Sequence, residues 1–435
     1  MVSKYFNVIR NYKTTLLWLL AMFFGGMFGG FVIASIICLP LLFIPNTNIK
    51  IESLFIFFIV IYFLGDNFSG VFSFAQNLRF VILGIGLFVL LQLQMFKYNL
   101  AFYILPFSII ATFITYSLSP LGLEATARGV SYFLVALVIF KCVQLLLEFD
   151  AQRFHSLIIT FLALYFILNL FLVFVPFIEV TNIKGRYAGL MANPNGLGMV
   201  AMFSYAIIDV IRRKNQSEFN SRFFTIFKIL LIVLVVLSGS RTSIFGILAF
   251  EISIRLLKYK FLLAVVLLFM VYVYSISATV SPSAIISSLG LSDFLRTDTL
   301  DDASGRTEVW VVAIAEIKNQ MWLGKGMLYD NYFINLYGDR FLGEVRARHW
   351  YGIWNSYLSL LLNVGIIGLA AFSFFWYKMY ALSQMKIVRF AFLMMCLFSA
   401  ISESWMAASM NAFMPLVFLC WGLQIFQYKT KSKFL

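Results

Sequence analysis

Charge is scarce in this chain. Of its 435 residues only 12% are Asp, Glu, Lys or Arg, where a soluble domain carries about 25%. That excludes an ordinary water-soluble fold. Cysteine appears four times, as Cys38, Cys142, Cys396 and Cys420, each alone inside an apolar run. With no CxxC pair, neither a disulfide framework nor a cysteine metal site is indicated. There are two histidines. His155 reads as structural or solvated, whereas a histidine at His349, close to several arginines in the chain, suits proton transfer near neutral pH.

Apolar residues are abundant instead, at 62% of the chain with 50 phenylalanines. Separate runs approach or exceed the ~20 residues that cross a bilayer. Backbone groups in lipid must pair within their own segment, so the spans are helical. The expected fold is all-α, a polytopic membrane protein with about 14 (12–14) spans. These fall near 14–28, 30–45, 51–65, 80–95, 99–119, 130–147, 157–177, 195–211, 225–238, 242–254, 261–279, 353–377, 387–401 and 405–427. Residues 14–45 read either as one long tilted helix or as two short ones broken at Phe28-Gly29-Gly30. The basic start with Lys4, Arg10 and Lys13 reads as an uncleaved first span.

The net charge of +14 does not imply nucleic acid, because it is distributed as a topology signal. Lysine and arginine concentrate in 212–228, 255–260, 378–389 and the tail with Lys429, Lys431 and Lys433. All of these fall on one side, which the positive-inside rule makes cytoplasmic. The N-terminus joins them when residues 14–45 cross twice. The same parity places 178–194, the turn Ser238-Gly239-Ser240-Arg241 and the long segment 280–352 outside. Three parts follow: an N-terminal bundle (1–279, about 11 spans), an extracytoplasmic loop (280–352), and C-terminal spans with a short basic tail (353–435, about 3 spans).

The outer charges are few. Arginine within a membrane costs ~2.5–3.5 kcal/mol on insertion scales, so Arg186 and Arg241, expected at helix ends, either snorkel to headgroups or serve a site. Together with Arg306 they suit a diphosphate, because a guanidinium forks onto two oxygens and stays charged. Asn193-Pro194-Asn195-Gly196 breaks the backbone beside Arg186, with proline at a first helical position. In the long loop, Trp310, Ile314 and Ile317 recur at helical spacing after Ser304, predicting an amphipathic helix capped by that serine. Arg306 in its first turn opposes the helix dipole. It is matched either by an anion or by Asp301 or Asp302. The aromatics Trp350, Tyr351 and Trp354 form an interfacial belt or stack on sugars.

Four segments carry a resemblance: RYAGLMANPNGLG (186–198), SGSRTSIFG (238–246), SGRTEVWVVAIAEIKNQMWLGKG (304–326) and NSYLSLLLNVGIIGL (355–369). In this order, with a long loop before the last, the chain resembles the O-antigen ligase and polymerase superfamily. The resemblance implies transfer of a glycan from undecaprenyl diphosphate to an acceptor hydroxyl, with inversion, at the extracytoplasmic side of a bacterial inner membrane. It implies no metal and no cofactor, in keeping with the lack of a DxD pattern in any outer loop. It assigns diphosphate binding to Arg186 and Arg241, with Arg306 assisting or ordering the loop. Further substrate contacts are expected from Arg346, Arg348, Asn355, Tyr357, Asn193 and Asn195. Many members have a histidine directly before the asparagine of the last segment. Here Trp354 precedes Asn355, which leaves His349 as the expected base, with Glu403 or no base as alternatives. The expected partners are the lipid-linked glycan, membrane lipids and a chain-length regulator, and no nucleic acid. A polymerase is favoured over a ligase because 14 spans suit that branch. A flippase would need repeated halves and midplane charges.

Overall fold

A computed structural model describes residues 2–66, 72–93, 99–174, 182–183, 186–191, 193–214, 221–258, 306–341 and 352–427. The described chain is helical apart from one two-stranded ribbon. The helices are α1 (Val2–Cys38), α2 (Thr47–Gly65), α3 (Ser73–Gln92), α4 (Leu105–Leu118), α5 (Gly122–Phe174), α6 (Pro194–Lys214), α7 (Ser221–Ser238), α8 (Arg241–Lys258), α9 (Arg306–Asn319), α10 (Tyr329–Phe341), α11 (Ser356–Leu382), α12 (Lys386–Ser402) and α13 (Phe413–Ile425). Strands β1 (Asn182–Ile183) and β2 (Arg186–Tyr187) pair antiparallel ahead of α6. Among the described residues, seven helices are long and apolar enough to cross a membrane. The all-α, multi-pass architecture is borne out. The expected crossing at 261–279 lies outside the described residues.

Two of the long helices are each two legs. In α1 the break is at Gly30, with φ 69, a backbone region that costs glycine nothing. Beyond it the chain doubles back, so that Trp18 Nε1 donates to the Ile37 carbonyl at 2.7 Å. The two-leg alternative for residues 14–45 therefore describes the structure, and Gly30 is its turn. In α5 the break is at Asp150, where φ is −162 and ψ 94. Its carboxylate accepts the Arg153 N–H at 2.9 Å and so caps the second leg. Arg153 in turn pairs with Glu52 of α2 at 2.7 Å.

The core is aromatic. Trp421 of α13 is fully buried and meets Phe392 edge-on at 5.1 Å and Trp376 at 6.0 Å. Trp405 continues this cluster to Phe203 of α6 at 5.1 Å. Such edge-to-face pairs add about 0.5–1.5 kcal/mol each beyond area burial. They tie the C-terminal helices to α6, the helix that leads out of the ribbon.

At the end of the bundle where α6 finishes in Arg212-Arg213-Lys214, the buried Asp209 accepts from Lys228 Nζ and Arg213 Nε, each at 2.5 Å. The ribbon and the start of α6 lie at the opposite end of that helix.

Helices α9 and α10 form a satellite core. Val309, Ala313 and Ile317 of α9 face Tyr329, Phe333 and Ile334 of α10, with Ile353 and Leu362 beneath. The amphipathic helix expected after Ser304 is present, but its buried stripe differs from the expected one. Ile314 is exposed and Trp310 only partly covered, whereas the i, i+4 row 309/313/317 is inside. Ala313 in the middle of that row is fully buried, and Trp310 donates its Nε1 to the Ile353 carbonyl at 2.8 Å. Ser304, its expected cap, lies outside the described residues.

A backbone ladder fastens this small core to the bundle. Helix α11 breaks at Gly365 (φ 61, ψ −168). Residues 321–326 fill the break: Ile366 N donates to Met321 O at 3.0 Å and Ile367 N to Trp322 O at 3.2 Å. In return, Lys325 N donates to Leu362 O at 2.9 Å and Gly326 N to Asn363 O at 2.7 Å. A Cβ on Gly324 would sit 2.6 Å from Val364 N and Gly365 N, and one on Gly365 would sit 2.3 Å from Trp322 O. The glycines are there because two backbones touch.

Candidate functional site

The stretch before α6 is pinned from α5. Asn169 Oδ1 accepts Leu190 N at 2.9 Å, its backbone carbonyl accepts the Tyr187 hydroxyl, and Gly189 turns with φ 57 against the Asn169 side chain. Helix α6 then opens with Pro194. Asn193 caps it, its Oδ1 accepting Asn195 N at 2.9 Å. Removing a cap of this kind costs about 1 kcal/mol. Asn193→Ala should therefore lower the thermal unfolding temperature modestly, and Asn193→Asp should restore it. Four residues into α6, Gly198 lies against the α7–α8 turn, where a Cβ would meet Ser240 and the Ser238 and Ser243 hydroxyls within 3 Å. The first two resembling segments are thus packed on each other.

This packing sets Arg186. It lies in β2 rather than at the helix end the sequence suggests, because α6 begins only at Pro194. Its Nε donates to Ser238 O at 3.0 Å, and its Nη2 to Gly239 O at 3.1 Å and to Asn195 Oδ1 at 2.6 Å. Gly239 has φ 58 and no side chain to push the guanidinium away. Two residues on, the half-buried Arg241 opens α8. The two expected arginines therefore meet at one turn.

A carboxylate extends the group. Asn195 Nδ2 donates to Glu403 Oε1 at 2.7 Å, and Arg306 Nη2 stands 3.7 Å from the same oxygen. Glu403 is buried just past the end of α12. Burial pushes its carboxyl up to about 7, against the opposing pull of Arg306, Asn195 and Arg186. Arg306 also donates to the Ser402 carbonyl, while burial works to lower its own pKa against the attraction of Glu403. Its described partners are thus across the bundle. Asp301 and Asp302, the expected neighbours, lie outside the described residues. Thr242 of α8 and Ser402 of α12 join hydroxyls at 2.7 Å beside this contact.

Trp354 completes the wall. It occupies the position where the resemblance expects a histidine, and it has the positive φ of 51, uncommon for a bulky residue and a place where backbone strain is stored. Its ring lies 5.7 Å from the Arg306 guanidinium, within cation–π range. The next residue, Asn355, caps α11 by accepting Tyr357 N at 3.0 Å and Leu358 N at 3.1 Å. Tyr357 donates its hydroxyl to Leu397 O at 2.8 Å. The Ser356 hydroxyl donates to Glu403 O at 2.6 Å and accepts Met406 N at 3.1 Å.

Arg186, Arg241, Asn193, Asn195, Arg306, Asn355 and Tyr357 thus gather at one end of the bundle. The side-chain oxygens of Asn193 and Asn355 are engaged in capping their helices. His349, Arg346 and Arg348 lie outside the described residues. Sequence reasoning gives Glu403 only a secondary place and Asn195 no bridging role. The available signal for Glu403 is an acid isolated between two apolar runs. Among the described residues no three His, Cys, Asp or Glu side chains come together as a metal site would need.

Known proteins bear on this arrangement through a family match. No curated protein matches the chain. Residues 226–373 match a family model described as O-antigen ligase. That region, about a third of the chain, holds Arg241, Arg306, Trp354 and the whole ladder between 321–326 and Gly365, while Arg186 and Glu403 pack onto it from either side. Over that region the chain is similar to the O-antigen ligase and polymerase superfamily, in agreement with the resemblance carried by its four segments.

Proposed function

We propose that this protein is a membrane glycosyltransferase that polymerises surface-polysaccharide repeat units carried on undecaprenyl diphosphate. The carrying observation is that Arg186 is locked against the turn that presents Arg241, with Arg306 brought to the same place through Glu403. Preorganised guanidiniums are suited to a diphosphate leaving group, because they need no reorganisation as charge develops on it.

In this reading the site faces the outside of the bacterial inner membrane, opposite the basic end of α6. An acceptor sugar hydroxyl attacks the anomeric carbon of the donor. The new C–O bond forms as the bond to the phosphate oxygen breaks, and the lipid diphosphate departs with the electron pair. The stereocentre inverts. His349 takes the hydroxyl proton. Arg186 and Arg241 hold the diphosphate, while Arg306 assists or orders the long loop, with Arg346 and Arg348 as further contacts. The expected count of 14 spans supports the polymerase form, and a chain-length regulator is its expected partner.

The test is complementation of a strain lacking the native copy with Arg186→Ala, Arg241→Ala and His349→Ala. Each variant should abolish or strongly reduce polymer at matched expression. Full-length polysaccharide from all three would sink the site. Accumulation of a lipid-linked single repeat identifies a polymerase. Accumulated long lipid-linked chains would instead identify a ligase that delivers finished glycan to lipid A core or protein. A flippase would lose outward transport of the lipid-linked unit.

A further inference from the structure

One carboxylate oxygen gathers the site. Glu403 Oε1 accepts from Asn195 at 2.7 Å, and Asn195 turns its other end to Arg186 at 2.6 Å. The same oxygen lies 3.7 Å from Arg306 Nη2, longer than the ~2.7–2.9 Å of a saturated charge-assisted bond. Arg306 reaches it from α9, Arg186 of β2 is joined to it through the Asn195 amide of α6, and the backbone of Glu403 itself is held by Ser356 of α11. A buried anion between two guanidiniums occupies the electrostatic position of a phosphate oxygen.

We propose that Glu403 is a positioning residue, an internal counter-anion that holds Arg186 and Arg306 together before substrate arrives and yields them to the substrate diphosphate. The inference rests on the diphosphate reading of this site. Asn195 is the link that makes the exchange orderly: its carbonyl keeps Arg186 oriented while its amide nitrogen follows the carboxylate. The charged groups facing Glu403 are Arg306 from α9 and Arg186 from β2. A negative Glu403 repels incoming phosphates, and a protonated one does not. Binding must therefore be coupled to proton uptake, and by reciprocity proton uptake favours binding.

The probe is a short prenyl diphosphate-linked monosaccharide, whose charge is constant across about pH 5.5–8.5 because both phosphates are esterified. Its affinity is measured on the purified full-length chain in nanodiscs. Wild-type binding should weaken on the order of tenfold as pH rises through 7, a change equivalent to one pKa unit of coupling. Glu403→Gln keeps an acceptor for Asn195 but carries no charge, so its affinity should be flat with pH and about tenfold tighter than wild type at the alkaline end. Glu403→Ala should also be flat, yet weaker than Glu403→Gln, because Asn195 loses its acceptor. A Glu403→Gln protein that keeps the wild-type pH profile, or binds less tightly than wild type at alkaline pH, overturns the inference alone. A wild-type protein that binds no probe at any pH overturns the diphosphate reading and the inference with it.

Discussion

Replacing Arg186 with lysine should lower the rate of the proposed glycan transfer by about 10²–10³-fold, the cost of losing one preorganised donor at a transition state, ~2.7–4 kcal/mol. Charge is retained in this variant, so the loss reports geometry. Arg186 makes three bonds with two of its nitrogens, to Ser238 O, Gly239 O and Asn195 Oδ1. These fix the plane of the fork. A single ammonium on a flexible stem cannot hold all three and also present a fixed face to a ligand. The effect should fall on kcat more than on KM, because the developing charge of the leaving group is what the fixed donors favour. Polymer yield at matched membrane expression, followed by initial rates on a purified lipid-linked donor, measures it. An Arg186→Lys protein within a few-fold of wild type would mean that Arg186 is a structural strut of the α7–α8 turn and nothing more.

The second large effect concerns stability. Gly365→Ala places a Cβ 2.3 Å from Trp322 O and 2.4 Å from its carbonyl carbon, both backbone atoms that cannot swing aside. The backbone at φ 61, ψ −168 adds about 1–3 kcal/mol of strain for any side chain. The ladder to 321–326 must then open, leaving backbone groups of a broken helix without partners. We expect a loss exceeding ~4 kcal/mol, in the range that only named structural faults produce. Thermal unfolding in detergent should drop sharply, and α9–α10 should become sensitive to protease. Gly84→Ala is the control. A Cβ there meets nothing within 4 Å, and α3 should be unchanged or slightly firmer, by up to about 1 kcal/mol. Equal behaviour of the two variants would refute the argument that close backbone contact dictates Gly365.

How much of this is legible in the sequence differs by feature. Helices and apolar spans follow from composition and run length, since a lipid environment leaves the backbone almost no alternative. The turn in α1 is visible as glycine at Gly29 and Gly30, but only as one of two readings. The break in α5 reads as a gap between two spans; that Asp150 caps the second leg depends on its local backbone angles, which no apolar pattern carries. Of the site, Arg186, Arg241 and Arg306 are legible because isolated charge in an apolar chain is expensive and invites a reason. Their assembly is not, because Asn195 and Glu403 are 208 residues apart and no local pattern carries a contact of that range. The buried stripe of α9 escapes the sequence pattern since Ala313, the residue that decides it, carries little hydrophobic weight. Trp354 reads as a missing histidine, whereas its ring faces Arg306.

The long separation between the site's halves bears on how the protein is made. Residues up to Arg241 leave the ribosome and enter the membrane well before α12 exists. The ladder can close only when α11 follows residues 321–326 into place, and Arg306 finds Ser402 and Glu403 only after α12 has been inserted. A nascent or truncated chain lacking α12 thus holds Arg186 at its turn but lacks the Glu403 acceptor of Asn195 and the Ser402 and Glu403 contacts of Arg306. The proposed transfer site is therefore a late product of biogenesis, completed only once α12 is in the membrane, so a protein terminated before α12 would not assemble it.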